Sequence, residues 1–142
     1  MPLISWNESM SVNIEKIDSQ HKDLVEIINT LFDAMKAAKG YDVLDEVINK
    51  LIDYVHYHFE TEEAYFDKFE YSESQIHKDE HRYFTEQVNE FMKSFAEGEL
   101  TQNEGDTPVT VGLWKLLKDW FVNHVLIFDK KYAPLFKENG LK

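Results

Sequence analysis

The stretch LDEVINKLIDYVHYHFETEEAYFDKF, residues 44–69, decides the fold. Its apolar positions Leu44, Val47, Leu51 and Val55 recur at steps of three and four, the period of one face of an α-helix, and the steps continue through His58, Glu62, Tyr65 and Phe69. An imidazole and a carboxylate therefore stand where the pattern calls for core residues. Their four-residue spacing puts both on one face, a turn apart. Such groups are costly to bury without partners, so their placement needs a reason. His56, two residues before His58, is rotated by about 200° and is expected to point away. Glu60 and Glu63 fall off the stripe and are expected to be solvated.

Three further helical patterns flank this one. Asp18 offers an N-cap to a stripe of His21, Leu24, Ile28, Leu31 and Met35, ended by Gly40, so the first helix is expected at about 18–38. The opening stretch gives a second helix over 42–69. Ser72 and Gln75 form a capping-box signature ahead of His77, His81, Phe84, Val88, Phe91 and Phe95, with Gly98 closing a third helix at 73–97. Residues 98–107, GELTQNEGDT, read as a loop. Thr107-Pro108 supplies an N-cap and a proline at the first helical position for a fourth stripe of Leu113, Leu117, Trp120, His124 and Ile127 or Phe128, over 108–130. Residues 1–17, with Trp6 and Ile14, read as an ordered arm, and Tyr132, Pro134, Leu135 and Phe136 as a short helical tail. Short connections make neighbours antiparallel. The expected fold is all-α, an up-down-up-down four-helix bundle, with residues 1–142 as one domain.

Composition narrows the function classes. The chain is 43% hydrophobic and 14% aromatic, which excludes disorder and implies a ring-rich core. A net charge of −12 with no Lys/Arg cluster makes nucleic acid and anionic membranes poor partners and favours a monomer. With no cysteine, thiolate metal sites and disulfides are unavailable. No signal-peptide pattern and no apolar run of ~20 residues is present, so a cytoplasmic location with no membrane contact is expected.

Five of the six histidines (His21, His58, His77, His81, His124) lie on inward stripes of four different helices, and Glu62 and Asp129 accompany them. One histidine on an apolar face is ordinarily a core imidazole bonded to a carbonyl. Five with two carboxylates point to a metal site inside the bundle. Asp129 is the awkward member, because five residues from His124 is about 140° of ideal helix. Either its carboxylate spans to a second metal, or the helix carries a π-type distortion there.

The ordered pattern, a lone histidine in IDSQHKDL (17–24), HxxxE in HFETE (58–62), HxxxH in HKDEH (77–81) and HxxxxD in HVLIFD (124–129), resembles the hemerythrin family in its bacterial single-domain form. The resemblance implies a non-haem di-iron centre. One iron would be held by His77, His81 and His124 and the other by His21 and His58, with Glu62, Asp129 and an oxo or hydroxo group bridging them. It further implies reversible O2 binding at the iron with two histidines, the oxygen being held as hydroperoxide. The partners implied are O2 and an O2-consuming enzyme that receives it.

The residues beside these positions are apolar: Leu24, Phe59, Trp120, Phe121 and Val125 are expected to wall an O2 pocket that offers no proton and little water. Tyr132, a turn past Asp129, could hydrogen-bond a ligand or merely pack. Five neutral imidazoles stabilise high-valent iron less than a carboxylate-rich site, and no Glu-x-x-His pair of the ferritin type occurs. Carriage, storage or delivery of O2 is therefore the leading expectation, and the protein is read as no enzyme. The alternatives are a di-iron oxidoreductase acting on peroxide, nitric oxide or Fe(II), and an O2- or iron-sensing module, the latter weakened by the absence of a signalling segment after the bundle.

Overall fold

In the computed structural model, residues 4–37, 39, 41–96 and 108–142 are described, with backbone alone at 41, 95, 96 and 108–110. Helix α1 spans Glu15–Lys36, α2 Leu44–Lys68, α3 Ser74–Ala96 and α4 Pro108–Trp120. Helix α4 runs on as a π-helix over Phe121–Phe128 and a 3-10 turn over Asp129–Lys131, and α5, Ala133–Glu138, forms the tail. Contacts of α1 with α2, α2 with α3, α3 with α4 and α4 with α1 close the ring of the all-α bundle. The expected stop at Gly40, the loop at 98–107, the Thr107 cap and the Phe95 side chain lie outside the described residues.

Two expected helix starts are corrected. Helix α1 begins three residues before Asp18, because that carboxylate serves the arm instead of capping: it accepts from the Val12 N–H at 2.9 Å and from the Ser11 hydroxyl. In the first turn its charge still favours the helix dipole. Gln75 does not turn back to close a capping box; its amide donates forward to Asp79 at 2.9 Å. At the end of α2, Glu70 takes φ 54° so that the Tyr71 N–H can reach the Phe66 carbonyl at 3.0 Å. This left-handed position suits glycine. Glu70→Gly is therefore expected to stabilise the fold by roughly 0.5–1 kcal/mol, seen as a higher urea midpoint with an unchanged slope.

Burial falls into two apolar clusters. The larger runs along the bundle through Leu24, Ile28, Leu51, Phe59, Phe84, Leu117, Trp120 and Val125. The smaller, at one end, joins Val12, Ile14 and Ile17 to Phe66, Tyr132 and Phe136, so arm and tail cap the bundle together. Trp6 packs on the larger cluster, and Asn29 pins the arm by bonding the Ile4 N–H and carbonyl at 2.9 and 2.8 Å. The polar residues of the inward stripes lie where the clusters meet, with Phe66 against His77 on one side and Phe59 against His81 on the other. Among the described residues, no helix is long and apolar enough to cross a membrane.

Candidate metal centre

Each of the four long helical segments delivers part of one buried cluster: α1 His21, α2 His58 and Glu62, α3 His77 and His81, and the π and 3-10 extension of α4 His124 and Asp129. None of the seven is more than 3% exposed. His56 and Glu60 are exposed.

The π-helix resolves the five-residue step. The Asp129 N–H donates to the His124 carbonyl five residues back, so the two residues stand one π-turn apart and both face inward. Asp129 also spans. Its Oδ1 lies 2.9 Å from His77 Nε2 and 3.0 Å from His124 Nε2, while Oδ2 lies 3.0 Å from His21 Nε2. Glu62 Oε1 behaves similarly, 3.2 Å from His58 Nε2 and 3.1 Å from His81 Nε2. Two overlapping groups of potential ligand atoms result, Glu62, His77, His81, His124 and Asp129 in one and His21, His58, Glu62 and Asp129 in the other. The histidines divide three to two, and both carboxylates belong to both groups.

The residues fit a cation. The Nε2 atoms of all five histidines, Glu62 Oε1 and both Asp129 oxygens are enclosed by protein yet make no hydrogen bond among the described residues, although several lie about 3 Å apart. Neighbouring ligands on an octahedral cation with bonds of ~2.1 Å are separated by about 3.0 Å, so these spacings suit atoms aimed at a shared ion rather than at one another. Two histidines are set in the required tautomer. His58 Nδ1–H donates to Gln20 Oε1 at 2.6 Å and His81 Nδ1–H to Glu63 Oε2 at 2.8 Å, leaving each Nε2 lone pair facing inward. Imidazole and carboxylate without thiolate suit iron, manganese or zinc.

Without a cation the cluster keeps its carboxylates ionised. Burial pushes Glu62 and Asp129 up, and for Glu62 so does the Asp129 charge, but the surrounding imidazoles outweigh this and hold both well below the usual carboxylate range. Burial lowers His58 and His124 overall. For His21 and His81 burial is overcome by the carboxylates that face them, Asp129 for the first and Glu62 with Glu63 for the second, which lifts His81 to about 9.

Glu63 is thus not simply solvated. It borders a groove of about 890 Å³ between α2 and α3 while orienting His81. Glu63→Ala is expected to weaken binding of a cation at the three-histidine group by about tenfold, measured by competition with a chelator of known affinity. Gln20 and Tyr54 were not legible as parts of the centre. Gln20 is buried beside His58, with its amide on Thr61 Oγ1 at 3.2 Å. The Tyr132 hydroxyl donates to Glu62 Oε2, which settles its two possible roles in favour of a hydrogen bond. A glutamine next to a stripe histidine was the available signal for Gln20; Tyr54 needed the helix packing.

The expected pocket residues Leu24, Phe59, Trp120, Phe121 and Val125 are all buried in the larger cluster. Phe59 lies flat on His81 with centroids 3.8 Å apart, and Trp120 lies flat on His124 at the same distance. Their wall is not wholly apolar, since Trp120 Nε1 and the Tyr54 hydroxyl are both enclosed there.

Fold and site together define an α-helical bundle with a buried histidine-rich cation-binding cluster. The family described as the hemerythrin HHE cation-binding domain matches residues 12–136, and this chain belongs to it. It is similar to bacteriohemerythrin of Pseudomonas paraeruginosa, 35% identical over 98% of this chain and 85% of that one, and to bacteriohemerythrin of Methylococcus capsulatus, 30% identical over 94% and 97%. Among solved structures it resembles wild-type hemerythrin with a TM-score of 0.78 and 30% identity, covering 94% of this chain and 97% of that one.

Proposed function

We infer that the chain binds O2 reversibly at a non-haem di-iron centre, for carriage, storage or delivery to an O2-consuming enzyme. His77, His81 and His124 would hold one iron, His21 and His58 the other, and Glu62 and Asp129 both. The observation that carries this reading is the three-to-two division of histidines around two shared carboxylates, which leaves one side a protein ligand short. When bound, the irons supply the electrons on which O2 binding depends.

The protein's part is positional. Gln20 and Glu63 fix two imidazole rings, the Tyr132 hydroxyl holds Glu62, and Phe59 and Trp120 clamp His81 and His124 from outside. Leu24, Phe121 and Val125, none more than 1% exposed, keep bulk water from the cluster, which slows loss of charge to solvent and irreversible oxidation.

Anaerobic loading with two equivalents of Fe(II), then exposure to air, is expected to produce visible absorption bands that fade on degassing and return on re-exposure. Bands that decay once to a ferric product would defeat reversible binding and favour an oxidoreductase.

A further inference from the structure

Five imidazoles face the cluster, and two of them rest their outer nitrogen on an acceptor, one on each side of the three-to-two division. Among the described residues, the Nδ1 atoms of His21, His77 and His124 are buried with no partner. On the two-histidine side, His58 Nδ1–H donates to the Gln20 amide oxygen at 2.6 Å. That amide is held from turning over. The Thr61 hydroxyl spends its proton on the Tyr57 carbonyl at 2.7 Å, so it accepts from the Gln20 amide nitrogen at 3.2 Å and leaves the oxygen for His58. On the three-histidine side, His81 Nδ1–H donates to a carboxylate, Glu63, at 2.8 Å, and Phe59, parallel to the ring within 2°, keeps that bond aimed. The support is therefore a neutral amide on one side and a carboxylate on the other. Glu62 and Asp129 are shared by both groups, so they do not separate the two sides as Gln20 and Glu63 do.

Resting on the reading that each group holds an iron, we propose that Glu63 makes the iron on the three-histidine side the first to be oxidised, ahead of the iron that has the open position. A carboxylate drawing on the Nδ1 proton raises the basicity of the imidazole at Nε2, and an ion of charge three gains more from that than an ion of charge two. A neutral amide draws on the proton less strongly than a carboxylate does, so the His58 side keeps its ferrous ion longer. One electron leaves the ion for an outside one-electron oxidant, ferricyanide in the test below, which becomes ferrocyanide. The proton stays between His81 and Glu63, and no bond within the protein breaks. Glu63 acts through His81, as a positioning residue that sets which half of the centre gives up its electron first.

The test oxidises the protein, loaded with two Fe(II), stepwise with ferricyanide in the absence of air and reads the midpoint of each one-electron step. Glu63→Gln keeps an acceptor oxygen for His81 and removes the charge. It is expected to cost about tenfold in the preference for the ferric state, which for one electron raises the first midpoint by about 59 mV, with a smaller change in the second. Glu60→Gln removes an equal charge from an exposed neighbour and is expected to move neither. An unchanged first midpoint in Glu63→Gln overturns the proposal. So does an equal shift in Glu60→Gln, since that makes the effect one of overall charge. A role for Glu63 in holding the ring alone would weaken both oxidation states together and leave the midpoint where it was. If Glu63→Gln does not retain two irons, Gln20→Glu supplies the reading: a carboxylate behind His58 should lower the second midpoint and narrow the gap between the steps, and an unchanged gap overturns the proposal. In the parent with one electron removed, nitrogen-15 resonances should mark His81 as the ligand of the ferric ion and His58 as that of the ferrous ion; the reverse assignment also overturns it. A parent that holds fewer than two irons defeats the di-iron reading itself, and the proposal with it.

Discussion

Asp129→Ala is expected to reduce bound iron from two ions per chain to at most one and to weaken what remains by more than ~100-fold. Losing an outer partner of a ligand already costs about 10–100-fold, and Asp129 is more than that. Its two oxygens lie within 3.0 Å of His21 on one side and of His77 and His124 on the other, so a single substitution depletes both groups. Metal analysis after desalting, with Glu60→Ala as an exposed control, reads the outcome. Two retained ions in the Asp129 variant would remove that carboxylate from the centre. The π-turn gives a companion test, for Ile127 is 56% exposed and its deletion costs little burial. It shortens the step to four, the same-face spacing of an α-helix, so the deletion is expected to keep its metal where Asp129→Ala does not.

Stripping the metal is expected to have the largest effect on stability. A cation that binds only the folded state, at a thousandfold excess over its dissociation constant, adds ~4 kcal/mol, which for a chain of this size is a melting shift of about 10–15 °C per ion. The buried Nε2 atoms without partners make the stripped state the weaker one. Calorimetry before and after chelation measures the difference; equal melting temperatures would contradict a cation-built core.

The stripped protein should also respond to pH. His81 is lifted in the fold to about 9, above its ordinary 6.5. The stability this contributes, roughly 3 kcal/mol, is fully present below pH 6.5 and is lost as pH rises through 9. Metal uptake must displace that proton, so uptake releases acid and strengthens as pH rises from 7 toward 9.

The bundle was legible because its stripes are strict. The steps through Leu44, Val47, Leu51, Val55, His58 and Glu62 allow one buried face only, and each of those residues is buried. Helix ends were less legible. Asp18 resembles a cap in isolation, and only the arm laid across α1 shows that its oxygens are already engaged by Ser11 and Val12. Glu63 was misread for a related reason. Its place beside the stripe implies solvent, but α3 packs His81 within 2.8 Å of it.

What the sequence determined by itself is the identity of the inward groups, since helical periodicity is a local property and fixes which face each residue shares. His21, His58, Glu62, His77, His81 and His124 follow from it. The tertiary structure decided what periodicity cannot carry: how the histidines divide three to two, that Asp129 reaches both groups through a π-turn, and which side chains orient the rings. Those depend on distances between helices, where a shift of about 1 Å separates an oriented imidazole from a free one. They also depend on a single extra residue in the last turn, whose bulge is stable only where the inward pull on Asp129 offsets the poorer helical hydrogen bonds.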